Sequence, residues 1–156
     1  MFLRYAYVVF IGVLLAAFVG VGIATFYPGP KHPESQTLPK AVSPDKETPE
    51  DYAQRVEMNK KFKEFQEKEK EYNRNVSIFS LVASVIILIL SLTVIKNIVV
   101  ISDALLLGGI ITSIYSIARG FGTDDNMYRF IVISLGLLVA LFLGYIKMVK
   151  PLKTNL

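Results

Sequence analysis

Four apolar runs, each about as long as a lipid bilayer is thick, dominate this sequence of 156 residues. The first covers residues 5–26, and three more follow within residues 76–150. A helix rises about 1.5 Å per residue, so about 20 apolar residues cross the ~30 Å hydrocarbon core. Backbone groups in lipid must be hydrogen-bonded within their own segment, which makes each run a helix. The sequence therefore predicts an all-α integral membrane four-helix bundle.

A cleavable signal peptide is the competing interpretation of the first run, because Gly22-Ile23-Ala24 has the small-x-small form of a cleavage site. The run is longer than a typical signal core, so we expect residues 1–27 to be a retained transmembrane helix.

Charge is concentrated between the first and second apolar runs. Although only 19% of the chain is charged, residues 28–74 carry ten acids and ten bases. Residues 28–47 are Pro-rich, a composition that predicts an extracellular linker.

The motif Thr48-Pro49-Glu50-Asp51 predicts the start of a helix. Thr is a good cap, Pro suits the first helical position, and the acids interact favourably with the positive end of the helix dipole. No helix breaker follows before the second apolar run, which predicts one helix from about Pro49 to Ile95 whose first half projects ~35 Å from the membrane. Residues 48–75 form the predicted extramembrane part, with an amphipathic pattern.

The predicted projection carries an apolar stripe at helical spacing that needs a covering partner. Phe62, Phe65 and Tyr72 belong to this stripe, and we expect them to contact a second copy of the chain in a ring or coiled coil. The alternative is that the stripe lies on the bilayer surface or on the linker.

Small residues recur every four positions in three of the apolar runs. Such a stripe lets two helix backbones approach closely, and so predicts tight packing. Whether helix 1 packs within the chain or against another subunit stays open. The packing residues are Gly12, Ala16, Gly20 and Ala24 in helix 1, Ala104, Gly108 and Thr112 in helix 3, and Gly136, Ala140 and Gly144 in helix 4.

Polar residues inside the apolar runs are the candidate functional residues. Asp103 is an ionisable residue within the third run and must face protein, water or a counter-charge such as Lys96 or Lys147. It is either a pore or ion-coordinating carboxylate, or a first-turn residue of a shorter helix that Ser102 caps. Ser80, Ser84 and Ser91 on the second helix either line a pore or serve close helix packing.

Several function classes find no support in the sequence. There is no cysteine, and His32 is the one histidine, so we expect no metal site and no cofactor. Enzyme motifs are absent, which predicts a protein that is not an enzyme. No clustered basic face suggests nucleic acid, whereas Lys147, Lys150 and Lys153 suit anionic membrane lipid.

The distribution of Lys and Arg predicts the orientation. The segments next to both termini and the turn at Lys96 are basic, which places both termini and the tail of residues 151–156 in the cytoplasm of a multi-pass cell-membrane protein. Residues 28–74 would then lie outside.

The motifs Ile101-Ser102-Asp103, Gly108-Gly109, Tyr115 to Phe121 and Asp124-Asp125-Asn126 resemble a small membrane-protein family of reduced-genome bacteria. The resemblance covers about residues 5–30 and 72–150, and because that family is uncharacterised it implies no activity. The layout is also similar to that of claudins and connexins, without their paired loop cysteines, which is an analogy of topology alone.

These features lead to two hypotheses for function. The first is a self-associating pore or channel-like homo-oligomer, with the serine stripe or the small face of helix 1 near the axis and Asp103 near the inner mouth. The alternative is a non-conducting structural or accessory subunit that docks a protein partner through its extracellular helix.

Overall fold

The computed structural model describes residues 2–33, 48–93 and 98–146, and all regular structure in these ranges is helical. The predicted all-α fold is therefore confirmed. The predicted linker up to Glu47, the Lys96-Asn97 turn and the end of helix 4 with the tail lie largely outside the described residues. In chain order the helices are α1 (Phe2–Phe26), α2 (Pro49–Thr93), α3 (Val99–Gly120) and α4 (Asn126–Gly144).

Three of these helices are long and apolar enough to cross a membrane, namely α1, α2 and α3. The fourth, α4, contributes a shorter apolar stretch over Asn126–Phe142. Outward-facing side chains on α1 and α4 are large and apolar, as expected where a helix meets lipid. The chain is thus a membrane protein of several apolar helices.

The second helix, α2, is a single helix of 45 residues. It begins with a reciprocal cap: Asp51 accepts hydrogen bonds from the Thr48 hydroxyl at 2.6 Å and from the Thr48 backbone N–H at 3.1 Å, and the Asp51 N–H donates to Thr48 Oγ1 at 3.2 Å. These bonds hold the pKa of the exposed Asp51 carboxyl below its usual range. Residues 76–93 form the apolar part, and residues 49–75 extend roughly 40 Å beyond it.

The central helix of the bundle is α3. It packs most extensively along α2, then along α1, and more sparsely against α4. Small residues make the crossing of α1 and α3 close, since a methyl group on Gly108 would lie 2.8 Å from Leu15 Cδ2 and 3.0 Å from the Gly12 carbonyl oxygen. On the opposite side, a methyl group on Gly109 would lie 2.6 Å from Leu88 Cδ2 on α2.

The predicted small-residue stripes divide into a covered part and an open part. Gly12, Ala104, Gly108 and Thr112 are buried between helices, and Ala16, Gly20, Gly136 and Gly144 are partly covered. Ala24 and Ala140 are exposed, and a methyl group on Gly20 or Gly144 would have no neighbour within 4 Å among the described residues. The stripe of α1 therefore meets α3 of the same chain over its first half alone.

Gly108→Ala tests the close crossing of α1 and α3. We expect it to lower the free energy of unfolding by about 1–3 kcal/mol, because the new methyl group must displace Leu15 and the Gly12 backbone. SDS titration in mixed micelles measures this quantity. Gly20→Ala makes the same chemical change on an open part of α1 and should alter stability little. Equal losses in the two variants would contradict the crossing.

Candidate functional site

The serine stripe of α2 faces α3. Ser77, Ser80, Ser84 and Ser91 are each 0% exposed. Ser84 shares a hydrogen bond with the Ser113 hydroxyl, and Ser80 donates to the Val76 carbonyl of its own helix at 2.7 Å. The hydroxyls of Ser80 and Ser84 therefore each have a partner within the chain.

Two reciprocal serine pairs link α2 to α3. Ser77 Oγ donates to the Ser116 carbonyl at 2.8 Å, and Ser116 Oγ donates back to the Ser77 carbonyl at 2.7 Å. Ser91 and Ser102 repeat this exchange at 2.7 and 2.8 Å. The serines of each helix are two heptads apart, the repeat that keeps one face of a left-handed helix pair in contact. We call these two pairs, with Ser84 and Ser113 between them, the serine ladder.

Asp103 lies in the second turn of α3 and pairs with α1. Its Oδ2 atom is 3.3 Å from Arg4 Nη2, and the two side chains are 31% and 50% exposed. The alternative of a shorter helix capped by Ser102 is wrong, because α3 begins at Val99 and Ser102 bonds to Ser91. The cations named from the sequence, Lys96 and Lys147, lie outside the described residues. A salt bridge between α1 and α3 was not foreseen, although both residues lie at the same end of their helices.

A polar and aromatic cluster occupies the other end of the bundle, where α2 leaves its apolar part. Arg119 of α3 donates to Asn73 Oδ1 at 2.9 Å and to the Tyr115 hydroxyl at 3.0 Å. Its guanidinium carbon lies 5.8 Å from the centre of the Tyr72 ring, which stacks on Tyr27 at 5.4 Å. We call these five residues the collar.

The collar was not identified from the sequence, but the antiparallel pairing of α2 and α3 contains the signal. Positions equally distant from the predicted turn at residues 96–97 come to lie opposite each other, as Ser77 and Ser116 do. The same relation brings Asn73 beside the end of α3, where a methyl group on Gly122 would lie 2.7 Å from Asn73 Nδ2.

The hairpin between α3 and α4 is fixed to α2 by charge. Lys70 forms an ion pair with Asp124, and Arg129 lies 3.9 Å from the same carboxylate. The hydrogen bond from Lys70, aided by its charge, holds the pKa of Asp124 below its usual range. Asp125 caps α4 by accepting from the N–H groups of Met127 and Tyr128.

The residues expected to contact a second copy have different environments. Tyr72 belongs to the collar, where Tyr27 and Arg119 cover it within the chain. Phe65 is half-buried because the His32 ring packs on it, with ring centres 4.7 Å apart. Phe62 is 45% exposed. Residues 27–33 thus cover part of the stripe.

Within the described ranges, no three His, Cys, Asp or Glu side chains come together as a metal site.

A double-mutant cycle on Ser77→Ala and Ser116→Ala tests the serine ladder. The expected coupling is about 0.6 kcal/mol, and at most about 1.7 kcal/mol, the range for hydrogen bonds between membrane helices. Unfolding by SDS titration measures it. Ser80→Ala is the control, because this equally buried serine bonds only its own helix among the described residues. Zero coupling between Ser77 and Ser116, or equal coupling between Ser80 and Ser116, would contradict the ladder.

The Lys70–Asp124 ion pair predicts a pH dependence. The pKa of Asp124 is lower in the folded than in the unfolded chain, so the pair stabilises the fold above about pH 4, the usual pKa of an unfolded Asp. This contribution is lost as the pH falls through the lowered folded pKa. The difference in thermal stability between the chain and Asp124→Asn should therefore shrink in acid. In a Lys70→Gln background the difference should be small at every pH, and a full-sized difference there would contradict the assignment.

Comparisons with known proteins return no match. No family model, no curated protein and no solved structure is significantly similar to this chain. The resemblance to an uncharacterised bacterial family therefore stays a prediction.

Proposed function

We propose that this chain is a non-conducting, membrane-anchored docking protein that presents the projecting half of α2 to a partner protein. The observation that carries the proposal is the continuity of α2, in which one helix of 45 residues joins an apolar half to a charged half without a break. The distribution of Lys and Arg supports a projection on the outer side of the cell membrane.

The projection is held in a defined direction. The serine ladder fixes the apolar half of α2 to α3, and the collar fixes α2 again where the apolar part begins, through Asn73 and Tyr72. A helix fixed at two levels loses less freedom when it binds a partner than a flexible tether would.

The projection also exposes apolar side chains to water. Tyr52 and Val56, one turn apart, are 60% and 50% exposed, and Phe62 further along is 45% exposed. An amphipathic helix with exposed apolar residues is the form that binds in the groove of another protein.

A pore within one chain receives less support than docking. The candidate hydroxyls of Ser80, Ser84 and Ser91 are buried and hydrogen-bonded inside the bundle, and Asp103 pairs with Arg4. A conduction path lined by these serines would require α2 and α3 to separate.

Self-association, including a channel-like homo-oligomer, is the second candidate. The observation that favours it is the part of the small-residue stripes against which no described residue packs closely, at Gly20 on α1 and Gly144 on α4. Particle mass in lipid nanodiscs decides between the candidates, since a docking protein needs no more than one copy and a pore shared between subunits needs several.

Photo-crosslinking tests the docking function. A benzophenone amino acid at Val56 in the full chain, irradiated in membranes of the source cell, should give a discrete protein adduct. The same label at Ile78, which is similarly exposed but lies in the apolar part of α2, should give no such adduct. An adduct of exactly two chains would favour self-association, and no adduct at Val56 would contradict docking.

An ion-flux assay in liposomes tests conduction separately. We expect flux through liposomes containing the full chain to equal that of protein-free liposomes, because the buried serine hydroxyls of α2 are hydrogen-bonded within the bundle. Flux that Asp103→Asn removes, while folding and assembly stay unchanged, would overturn the non-conducting proposal and favour the channel.

A further inference from the structure

A cleft lies between the projecting half of α2 and the chain that follows α1. It has a volume of about 290 Å³, close to the lower limit for ligand pockets. Phe65 and two prolines, Pro30 and Pro33, give it an apolar lining. The space suits one or two side chains rather than a cofactor.

The rim of the cleft is positively charged. It carries Lys31, Lys61 and Lys68 against one acid, Glu64. Lys61 is engaged by Glu57 at 2.8 Å, whereas Lys31 and Lys68 have no carboxylate within ion-pair distance in the described ranges. The spacing of Glu64 and Lys68 favours an ion pair on a helix, but no such pair forms, and both side chains line the cleft instead.

The height of the cleft above the membrane favours a peptide over a lipid headgroup. With the apolar part of α2 beginning at Val76, Lys68 lies roughly 12 Å and Lys61 roughly 22 Å along the helix beyond it. The headgroup layer is about 5–8 Å thick on each side. The cleft is therefore located in water.

Charge complementarity favours a partner protein over segments of this chain. A second copy would offer its projection of residues 48–75, which carries seven acids and seven bases and has no net charge. The linker of residues 34–47 carries three acids and two bases. An occupant rich in Asp and Glu would match the rim better than either.

We propose that this cleft binds an acidic segment of the partner protein, with an apolar side chain against Phe65 and carboxylates on Lys31 and Lys68. The proposal rests on the docking function and names the chemistry of its partner. Binding should weaken with added salt, because the lysines are exposed.

Peptide display on the full chain tests the proposal. A library of random 12-residue peptides is selected on the chain in nanodiscs of uncharged phosphatidylcholine, after removal of peptides that bind empty nanodiscs. We expect enrichment of Asp and Glu around an apolar residue. Lys31→Gln combined with Lys68→Gln should weaken the selected peptides about tenfold or more, since two charge-assisted contacts are lost. Lys60→Gln combined with Lys63→Gln removes the same charge outside the cleft lining and should change affinity less than about twofold.

The other outcomes overturn the proposal in distinguishable ways. Peptides that bind both double variants as tightly as the unchanged chain would place docking elsewhere on the projection, so the function would stand and the cleft would fail. Equal losses of peptide affinity in both double variants would show that binding depends on the net charge of the projection and not on the cleft. Several-fold tighter binding after Glu34, Asp45 and Glu47 are changed to Gln would identify the chain's own linker as the occupant. Competition from phosphatidylglycerol nanodiscs would identify a lipid. No selected peptide at all would contradict both the cleft and the docking function.

Discussion

Hydrogen bonds between serines in an apolar environment set the geometry on which the rest of this structure depends. A hydroxyl in hydrocarbon has no water to bond, so it must find a carbonyl or another hydroxyl. In α2 and α3 this need is met by two pairs of serines, in which each hydroxyl donates to the backbone carbonyl of the other residue. The pairs are Ser77 with Ser116 and Ser91 with Ser102. Because both pairs satisfy the same register, a slip of one turn would break all four bonds together. The ladder therefore determines how α2 lies on α3, although each of its hydrogen bonds contributes only a modest free energy.

This register brings the collar together. With Ser77 opposite Ser116, Asn73 is placed beside Arg119, and the guanidinium meets an amide oxygen and two tyrosine rings. A cation at the edge of an apolar region needs such partners, since cation–π and hydrogen-bond contacts replace part of its hydration. The collar thus stabilises α2 at the level where its environment changes from apolar to polar, and this supports the helix as it continues outward.

The sequence predicted the helices well and their contacts poorly. Helix bounds follow from hydropathy and from the Thr48–Asp51 cap because backbone hydrogen bonding leaves few alternatives. Contacts depend on which faces meet. Serines spaced three, four and seven positions apart can line a pore as well as pack on a neighbouring helix. The partner of Asp103 could be named only once α1 had been placed against α3. Pairing α2 with α3 symmetrically about the predicted turn at residues 96–97 would have predicted the ladder, but not the position of Arg4.

The collar also shapes the cleft that we assign to an acidic peptide. Tyr27 stacks on Tyr72 and accepts a hydrogen bond from Asn75 at 2.9 Å, which directs the chain after α1 along α2. Gly29 lets the backbone pass close to Tyr72, because a methyl group there would lie 3.2 Å from the ring. Lys31 is thereby brought to the rim of the cleft. The same contacts that fix the direction of the projection therefore build its proposed binding site, and a partner bound there would strengthen the attachment of α1 to α2 in return.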